Sequence, residues 1–375
     1  MVFNTSNRLI KNLNFKINNQ EIIIVREFCY LGTIFTPNGK FKMNHSMLKN
    51  KAMKSLFSLR YSTLSQKMIS PSLCLKLFDQ LISPILLYGA ENWANELSRE
   101  KSSLEQISHQ FYCFILGVGK MTPKIGVRGE LGRLPIQVKA VIAQLKYWYR
   151  LNMLPENHIL HCALKESNIN KSNWIKNIEK VIGHTDFKKM NADYKITNSN
   201  QFTNILKSKL KKEYIQSWKV EINGCRENEV EGNKLRTYKL FKDNFEMEKY
   251  LTNVKDYSQR KMLARFRLSD HNLEIELGRR RRPKIPKDKR LCQKCKTNSV
   301  EDEVHFIMNC PEFNKEREIL FDDCGIERSN KTNTLSNFKN IMSSNIALAK
   351  YLKCTIFKPL NSTIILLLTS CCYCF

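Results

Sequence analysis

The chain contains little glycine and little proline, with 13 and 10 of these residues among 375. Collagen-like repeats and low-complexity disordered proteins need far more of both, and the scarcity of turn residues disfavours a sandwich or barrel of short strands. Hydrophobic residues make up 42% of the chain, which is enough to build hydrophobic cores. The composition therefore predicts a folded chain, mainly helical, of about two or three domains.

Acidic residues are scarce as well. There are 35 Asp and Glu against 62 Lys and Arg, which gives a formal net charge of +27. Because a compact chain with this surplus repels itself, a polyanionic partner is the natural explanation. RNA and DNA are the first candidates and an anionic membrane is the second. A surface of solvated lysines is the alternative that requires no partner.

A secretory leader and a long apolar run are both missing. The segment from Met1 to Ile10 has no apolar core, and the 13 cysteines are an odd number, so we expect reduced thiols in the nucleus or cytoplasm. The apolar tail from Thr363 to Phe375 is shorter than the roughly 20 residues that cross a bilayer. No membrane is expected as a partner, and a lipid-anchored basic protein is the alternative reading of this tail.

Residues 13–35 alternate between apolar and polar side chains, which predicts a small β-meander that is too small to stand alone. A helical period begins at Lys42. Ser70 before Pro71 favours a helix start, Pro84 should kink or restart that helix, and Gly117 is a helix-end signal. Further helices are predicted to start at Ser98 and near Pro135, and a last one to span Ser343 to Phe357.

The predicted fold class is therefore mainly α, with a small N-terminal β-meander, two helical regions and a small metal-binding segment. The predicted boundaries are 1–41 for the meander, 42–154 for a compact helical unit, 155–278 for a helical connector, 279–325 for a basic arm and zinc knuckle, 326–360 for a C-terminal helix and 361–375 for the apolar tail.

Four residues in the order Cys292-x2-Cys295-x9-His305-x4-Cys310 have the spacing of a zinc site. A Cys-x-x-Cys turn places two sulfurs on one face of a tetrahedron, and a His and a Cys near one helical turn apart complete it. Because the protein supplies all four ligands, the predicted Zn²⁺ is structural rather than catalytic. The alternative is a chance cluster among many cysteines, and Cys324 is expected to be a buried thiol.

Several further stretches follow one another along the chain. They are FCYLGTIF from Phe28 to Phe35, ISPILLYGAENW from Ile82 to Trp93, GELGRLP from Gly129 to Pro135, and LARFR from Leu263 to Arg267 followed by the segment from His271 to Arg279. Together with the Cys3His set, they resemble the downstream part of reverse transcriptases from non-LTR (LINE-type) retrotransposons. The resemblance covers roughly residues 10–357 in the order that the family has, and the ordered set is specific. It implies the end of a palm, a helical thumb, a connector and a zinc knuckle.

The resemblance also implies roles for individual residues. The strand with Phe28, Tyr30, Leu31 and Gly32 is similar to the primer grip of the family, although an ordinary β-strand explains its side chains equally well. Thumb residues that would contact template–primer phosphates are Lys49, Lys51, Lys54 and Arg60. Further nucleic-acid contacts are expected at Arg265, Arg267, Arg279, Arg280, Arg281, Arg282, Lys284, Lys287, Lys289 and Arg290.

The basic arm has eight Lys and Arg among its twelve residues, Arg279 to Arg290. Beside a metal-fixed knuckle, such an arm can meet phosphates while the knuckle faces RNA bases. A nuclear localisation signal is an alternative, and both roles are compatible. Trp148, within the sequence Tyr147 to Arg150, fits an apolar helical stripe and is expected in a core rather than in base stacking. His271 is expected to be a surface or core residue rather than a catalyst.

The family's catalytic motif, an aromatic residue, any residue and then Asp-Asp, is missing before residue 42. Its carboxylates hold the Mg²⁺ ions of the parent enzyme. Asp322 and Asp323 follow an aromatic residue, but they come after the knuckle and are not expected to bind metal. We therefore expect the segment to start after the polymerase site and to be inactive alone. The alternative is a domesticated, non-enzymatic RNA- or DNA-binding protein. The oligomeric state is left open.

Overall fold

The computed structural model describes residues 1–4, 13–62, 69–94, 102–183, 198–224, 234–326 and 334–356. In these ranges the chain is mainly helical, with a small β element near the N-terminus, which confirms the predicted fold class. The predicted cap at Ser98, the residue Phe357 and the apolar tail lie outside the described residues. Among the described helices, none is both long and apolar enough to cross a bilayer.

The β element consists of two separate hairpins rather than one meander. Strand β1 (Phe15–Ile17) pairs antiparallel with β2 (Gln20–Ile22), and β3 (Phe28–Tyr30) pairs antiparallel with β4 (Thr33–Phe35). The run from Phe28 to Phe35 therefore folds back on itself. The reason is the backbone at Leu31 and Gly32, where φ is 44° and 76° and the chain reverses.

The following helices begin and end close to the predicted signals. They are α1 (Lys42–Ser62), α2 (Pro71–Leu77), α3 (Ser83–Leu86), α4 (Ala90–Trp93), α5 (Ser103–Leu116), α6 (Lys124–Leu131) and α7 (Ile136–Asn152). Ser70 caps α2, because its Oγ accepts a hydrogen bond of 3.3 Å from the Leu73 N–H. A π-helical turn (Phe78–Ile82) joins α2 to α3, so the helix is interrupted beside Pro84.

The rest of the described chain carries further helices. They are α8 (Ile159–Ile169), α9 (Asn173–Ile182), α10 (Ser199–Asn223), α11 (Tyr238–Phe241), α12 (Tyr250–Asn253), α13 (Tyr257–Arg267), α14 (Glu274–Arg280), α15 (Asn314–Asp323), α16 (Thr334–Ser343) and α17 (Asn345–Ile356). Helix α17 lies within the predicted last helix. Two 3-10 turns (Lys287–Lys289 and Pro311–Phe313) and a π-helical turn (His305–Asn309) complete the described elements.

The chain divides into two compact units, and the division cuts across the linear boundaries that the sequence suggested. Unit 1 comprises residues Met1–Phe111 and Leu134–Ser217, and unit 2 comprises Tyr112–Arg133 and Trp218–Phe375. Two of the three cut points fall within α5 and α10, and the third lies between α6 and α7. The segment Tyr112–Arg133, which the sequence placed in one helical unit with its neighbours, therefore belongs with the unit that contains Cys292, Cys295, His305 and Cys310.

Unit 1 is held by apolar and aromatic packing. Trp148 is only 1% exposed and lies in a cluster with Leu145, Ile178 and Phe202. Tyr149 stacks on Phe202 with ring centroids 4.5 Å apart. The prediction that Trp148 serves core packing is confirmed.

Unit 2 combines an aromatic core with buried charges. Phe306 contacts Phe266, Phe313 and Tyr351 edge to face or tilted, with centroids 5.1 to 5.9 Å apart. The Tyr351 hydroxyl donates a hydrogen bond of 2.9 Å to the Phe306 carbonyl. This core lies beside the four predicted metal ligands, because Phe306 directly follows His305.

Candidate metal centre and basic surface

The first two ligands lie in a tight turn. The Cys292 N–H donates a hydrogen bond of 2.9 Å to the Ser299 carbonyl, and Leu291 forms a β-bridge with Val300. Asn298 has a φ of 50°, a left-handed conformation that lets the chain reverse between these points. The turn therefore presents Cys292 and Cys295 from one short loop.

The last two ligands are brought together by the π-helical turn. The Cys310 N–H donates a hydrogen bond of 2.7 Å to the His305 carbonyl, five residues earlier. In an α-helix, residues five apart point in different directions, whereas a turn closed by an i to i+5 bond returns the chain to the same side. The four-residue gap between the two ligands thus fits this particular turn.

The four side chains converge. Their ligand atoms all lie within 4.8 Å of one another, with 4.0 Å between the sulfurs of Cys292 and Cys310 and 3.4 Å between Cys295 Sγ and His305 Nε2. Zinc–sulfur bonds of about 2.3 Å in a tetrahedron put neighbouring ligand atoms about 3.8 Å apart. The predicted set therefore forms one cluster whose spacing can hold a metal ion, while Cys324 lies outside it.

The surroundings of the three thiols shift their pKa values in different directions. Burial raises the pKa of the Cys292 thiol to about 12, and it raises the pKa of the Cys310 thiol as well. Burial also acts to raise the pKa of Cys295, but hydrogen bonds with Thr297, Cys292 and His305 lower that pKa to about 6. When a metal ion binds to such thiols, each thiol loses its proton and binds the metal as a thiolate.

The neighbouring residues tie the cluster to the core of unit 2. The Arg317 guanidinium donates a hydrogen bond to the Cys310 carbonyl and one of 2.7 Å to the Ile307 carbonyl. The Lys294 ammonium lies 4.9 Å from the centre of the Phe313 ring. Such contacts fix the orientation of the ligand-bearing backbone before a metal binds.

A network of buried charges lies directly beside the cluster. Glu303 accepts hydrogen bonds of 2.8 Å from Ser269 and His271, and Arg236 bonds both Glu303 and Glu276 at 2.7 Å. Burial acts to raise the pKa of Glu303, but Arg236 and His271 hold it well below its usual range. His271 is thus a buried structural residue, in agreement with its predicted role.

Most of the basic arm is exposed to solvent. The exposed members are Arg280, Arg281, Arg282, Lys284, Lys287 and Lys289. Arg279 is partly buried and pairs with Glu276 at 3.1 Å, and Arg281 pairs with Glu274 at 3.0 Å. The exposed members remain suited to contact phosphates.

Arg290 requires a correction. Its side chain is 1% exposed and donates hydrogen bonds of 2.8 and 2.9 Å to the carbonyls of Ile285 and Ile275. It passes over Gly278, where a Cβ would lie 2.7 Å from Arg290 Cγ, so only glycine fits. Arg290 therefore links the arm to α14 through hydrogen bonds, and its buried side chain is not accessible to a nucleic acid.

Arg267 requires the same correction. It is 2% exposed and pairs with Glu130 at 3.0 Å and with Glu248 at 2.8 Å. A further bond of 2.9 Å goes to the Met342 carbonyl. Arg267 thus joins the GELGRLP and LARFR segments inside unit 2, a structural role that sequence reasoning missed because its partners are distant in the chain.

The other predicted cationic contacts are accessible. Lys51 and Lys54 on α1 are exposed, and Lys49 and Arg60 on the same helix are half-buried. Arg265 is half-buried and pairs with Asp270 at 3.4 Å. The structure does not bring the α1 group and the arm into one compact unit, because α1 belongs to unit 1 and the arm to unit 2.

The primer-grip-like residues lie in the second hairpin, with Phe28, Tyr30 and Leu31 exposed. The Tyr88 hydroxyl donates a hydrogen bond of 2.6 Å to the Leu31 carbonyl. A Cβ at Gly32 would lie 3.3 Å from the Tyr88 ring, and the φ of 76° independently favours glycine there. The hairpin and the segment from Ile82 to Trp93 are therefore neighbours within unit 1.

The Asp pair that resembles a catalytic motif lies on the last turn of α15. Asp323 pairs with Lys350 at 3.1 Å. Among the described residues, the Cys3His set is the group that brings metal-ligating side chains together. Compared with protein families, curated proteins and solved structures, the chain matches none.

Proposed function

We propose that this chain is a nucleic-acid-binding part of a LINE-type reverse transcriptase, stabilised by a structural zinc ion and unable to synthesise DNA alone. The observation that carries the proposal is the direct connection between an exposed cationic arm and a converged Cys3His cluster. Only Leu291 separates Arg290 from Cys292, so the metal site and the arm form one continuous segment.

Zinc is the metal that suits these ligands. Three thiolates and one imidazole in a tetrahedral spacing favour Zn²⁺ over Mg²⁺ or Ca²⁺, which prefer oxygen ligands. Because all four positions are filled by protein atoms, the ion would have no open site for substrate. When bound, it would supply folding energy to a loop with few apolar contacts of its own.

The partner class follows from charge and exposure. A net charge of +27, with six exposed cations between Arg280 and Lys289, matches a polyanion with regularly spaced phosphates. Exposed Lys51 and Lys54 on α1 are further candidate phosphate contacts. The arm can approach a backbone of any sequence, so we expect affinity with little sequence preference.

Contacts between the family-like segments support the same proposal. The hairpin with Gly32 touches Tyr88, and Glu130 binds Arg267, so segments far apart in sequence contact each other in pairs. Segments that belong to one fold are expected to contact one another, whereas unrelated look-alikes need not. This pairing favours the resemblance over a chance collection of short motifs.

The metal assignment is tested on the purified full chain. We expect one zinc ion per chain by elemental analysis and, after exchange, the absorption of a tetrahedral Co²⁺–thiolate centre. Cys295→Ser and His305→Ala should each lower the zinc content, whereas Cys324→Ser, outside the cluster, should not. Unchanged stoichiometry in both ligand variants would show that the cluster does not hold the ion.

Nucleic-acid binding is tested by the salt dependence of affinity for single-stranded RNA. The triple variant Arg282→Ala, Lys287→Ala, Lys289→Ala should reduce the slope of log K against log salt by about 2, at roughly 0.7 for each lost phosphate contact. The matched control Lys211→Ala, Lys212→Ala, Lys219→Ala removes the same charge from exposed positions of α10. Equal slopes for the two triple variants would contradict a specific role of the arm.

The absence of synthesis is tested with an annealed RNA–DNA template–primer in Mg²⁺ or Mn²⁺. We expect no primer extension by the full chain, and the double variant Asp322→Ala, Asp323→Ala should behave as the unaltered chain does. Template-dependent extension of the primer by the chain alone would overturn the proposal.

A further inference from the structure

The loop between α5 and α6 lies against the segment that leads into the basic arm. Gly117 ends α5 with a φ of 66°, and a Cβ there would lie 2.6 Å from Lys261 Cγ on α13. The Gly119 N–H donates a hydrogen bond of 2.9 Å to Asp270 Oδ2. Both contacts lie within unit 2, so this loop, which carries the exposed Lys120, is fixed beside α13.

Asp270 organises the cations around this loop. Its carboxylate pairs with Arg265 at 3.4 Å and with Arg280 at 3.5 Å, in addition to its bond with Gly119. Arg265 also donates a hydrogen bond of 3.0 Å to the Asp270 carbonyl. One carboxylate thus holds two guanidinium groups in place, and at Arg280 the cluster meets the start of the arm.

Lys234 lies near the same charges. Burial lowers the pKa of Lys234; Glu276 and Asp270 act to raise this pKa, and Arg280 and Arg279 act to lower it to a smaller extent. Glu276 is itself engaged by Arg236 and Arg279. Charges of both signs therefore meet here, and the exposed cations of the group are Lys120 and Arg280.

We propose that Lys120, Lys261, Arg265 and Arg280 form a second contact surface for a nucleic-acid phosphodiester backbone, continuous with the basic arm. We name it the loop surface. Its cations are spread over a loop and two helices, an arrangement that fits successive phosphates better than one small anion. The inference rests on the proposed nucleic-acid function and extends it to the loop from Gly117 to Lys124.

The test uses the full zinc-loaded chain and a single-stranded RNA of mixed sequence. The double variant Lys120→Ala, Lys261→Ala should weaken binding roughly 10- to 30-fold at about 0.1 M salt and reduce the salt slope by about 1.4. The control Lys350→Ala, Lys353→Ala removes the same charge from α17 in the same unit. It should leave the slope unchanged. Thermal unfolding and zinc content of both variants should match the unaltered chain.

The outcomes separate this inference from the function on which it rests. If the arm variant weakens binding and the loop-surface variant does not, the loop surface is wrong and the arm stands. If the unaltered chain shows no salt-dependent affinity for RNA or DNA, both are wrong. If the loop-surface variant loses affinity for vesicles of phosphatidylserine and keeps its affinity for RNA, the surface serves a membrane and the inference is overturned.

Discussion

The two units of this chain are stabilised in different ways. Unit 1 packs aromatic and aliphatic side chains, such as Trp148 and Phe202, at the positions that a helical period predicts. Unit 2 places whole ion pairs inside, including Arg267 with Glu130 and Arg236 with Glu303. Since buried charges are costly unless fully paired, unit 2 depends on a few exact partners, whereas unit 1 depends on summed apolar area.

The comparison also concerns the use of basic residues. In a chain with 62 Lys and Arg, a count alone treats every cation as a possible phosphate contact. Arg260, Arg267 and Arg290 are instead buried in unit 2 and bind carbonyls or carboxylates. Only the exposed cations can be reached by another molecule. Burial therefore distinguishes structural arginines from candidate binding residues.

The strongest test of the comparison is to break one buried pair. Arg267→Ala should destabilise unit 2 by about 3–5 kcal/mol, because Glu130 and Glu248 are left buried without their partner. The control Arg265→Ala, two residues away and half-exposed, should cost no more than about 1 kcal/mol. Hydrogen exchange read by mass spectrometry over the peptides of unit 2, at increasing urea, measures both losses. Equal losses would mean that burial does not distinguish these arginines.

Lowering the pH should destabilise the two units through different titrating groups. Burial lowers the pKa of His45 in unit 1 to about 4 from 6.5, so the unfolded state takes up this proton first. The free energy of unfolding of unit 1 should therefore be unaffected by His45 above about pH 6.5 and should fall as the pH drops towards 4. Because the ring is partly exposed, we expect the loss to be about 1–2 kcal/mol. Glu303, whose pKa is held low, should weaken unit 2 only below about pH 4.3.

Hydrogen exchange read by mass spectrometry resolves both units in one sample at each pH. His45→Phe should remove the loss between pH 6.5 and 4 in unit 1, because the ring that packs on Trp93 no longer titrates. The control His158→Asn changes an exposed histidine of the same unit and keeps a capping side chain. A pH profile of unit 1 that His45→Phe leaves unaltered would contradict this assignment.

The smallest expected effect is a local one in unit 1. Ser70→Ala should destabilise this unit by about 1 kcal/mol, because the Leu73 N–H loses its capping acceptor. Ser70→Asn should restore most of the loss, since asparagine caps as well as serine. Chemical unfolding monitored by tryptophan fluorescence in a Trp218→Phe background reports on unit 1. A loss above about 3 kcal/mol would show that Ser70 does more than cap α2.

Local signals predicted much of the fold because they act within a few residues. Ser70, Pro84 and Gly117 mark helix boundaries through capping, a missing N–H and a left-handed backbone, and each effect is independent of the rest of the chain. The strand run from Phe28 to Phe35 was less predictable. Alternation identified β structure there, but the reversal at Leu31 and Gly32 depends on Tyr88, 57 residues from Leu31.

The sequence by itself determined the candidate metal ligands, because the spacing of Cys292, Cys295, His305 and Cys310 is a local property of one short segment. Only the tertiary structure decided which cations are accessible. Arg267 meets Glu130 across 137 residues, and Asp270 meets Gly119 across 151. Such contacts have no sequence period or spacing, since the two partners come within reach of each other only once the chain has folded, and a buried charge such as Arg267 needs its partner there.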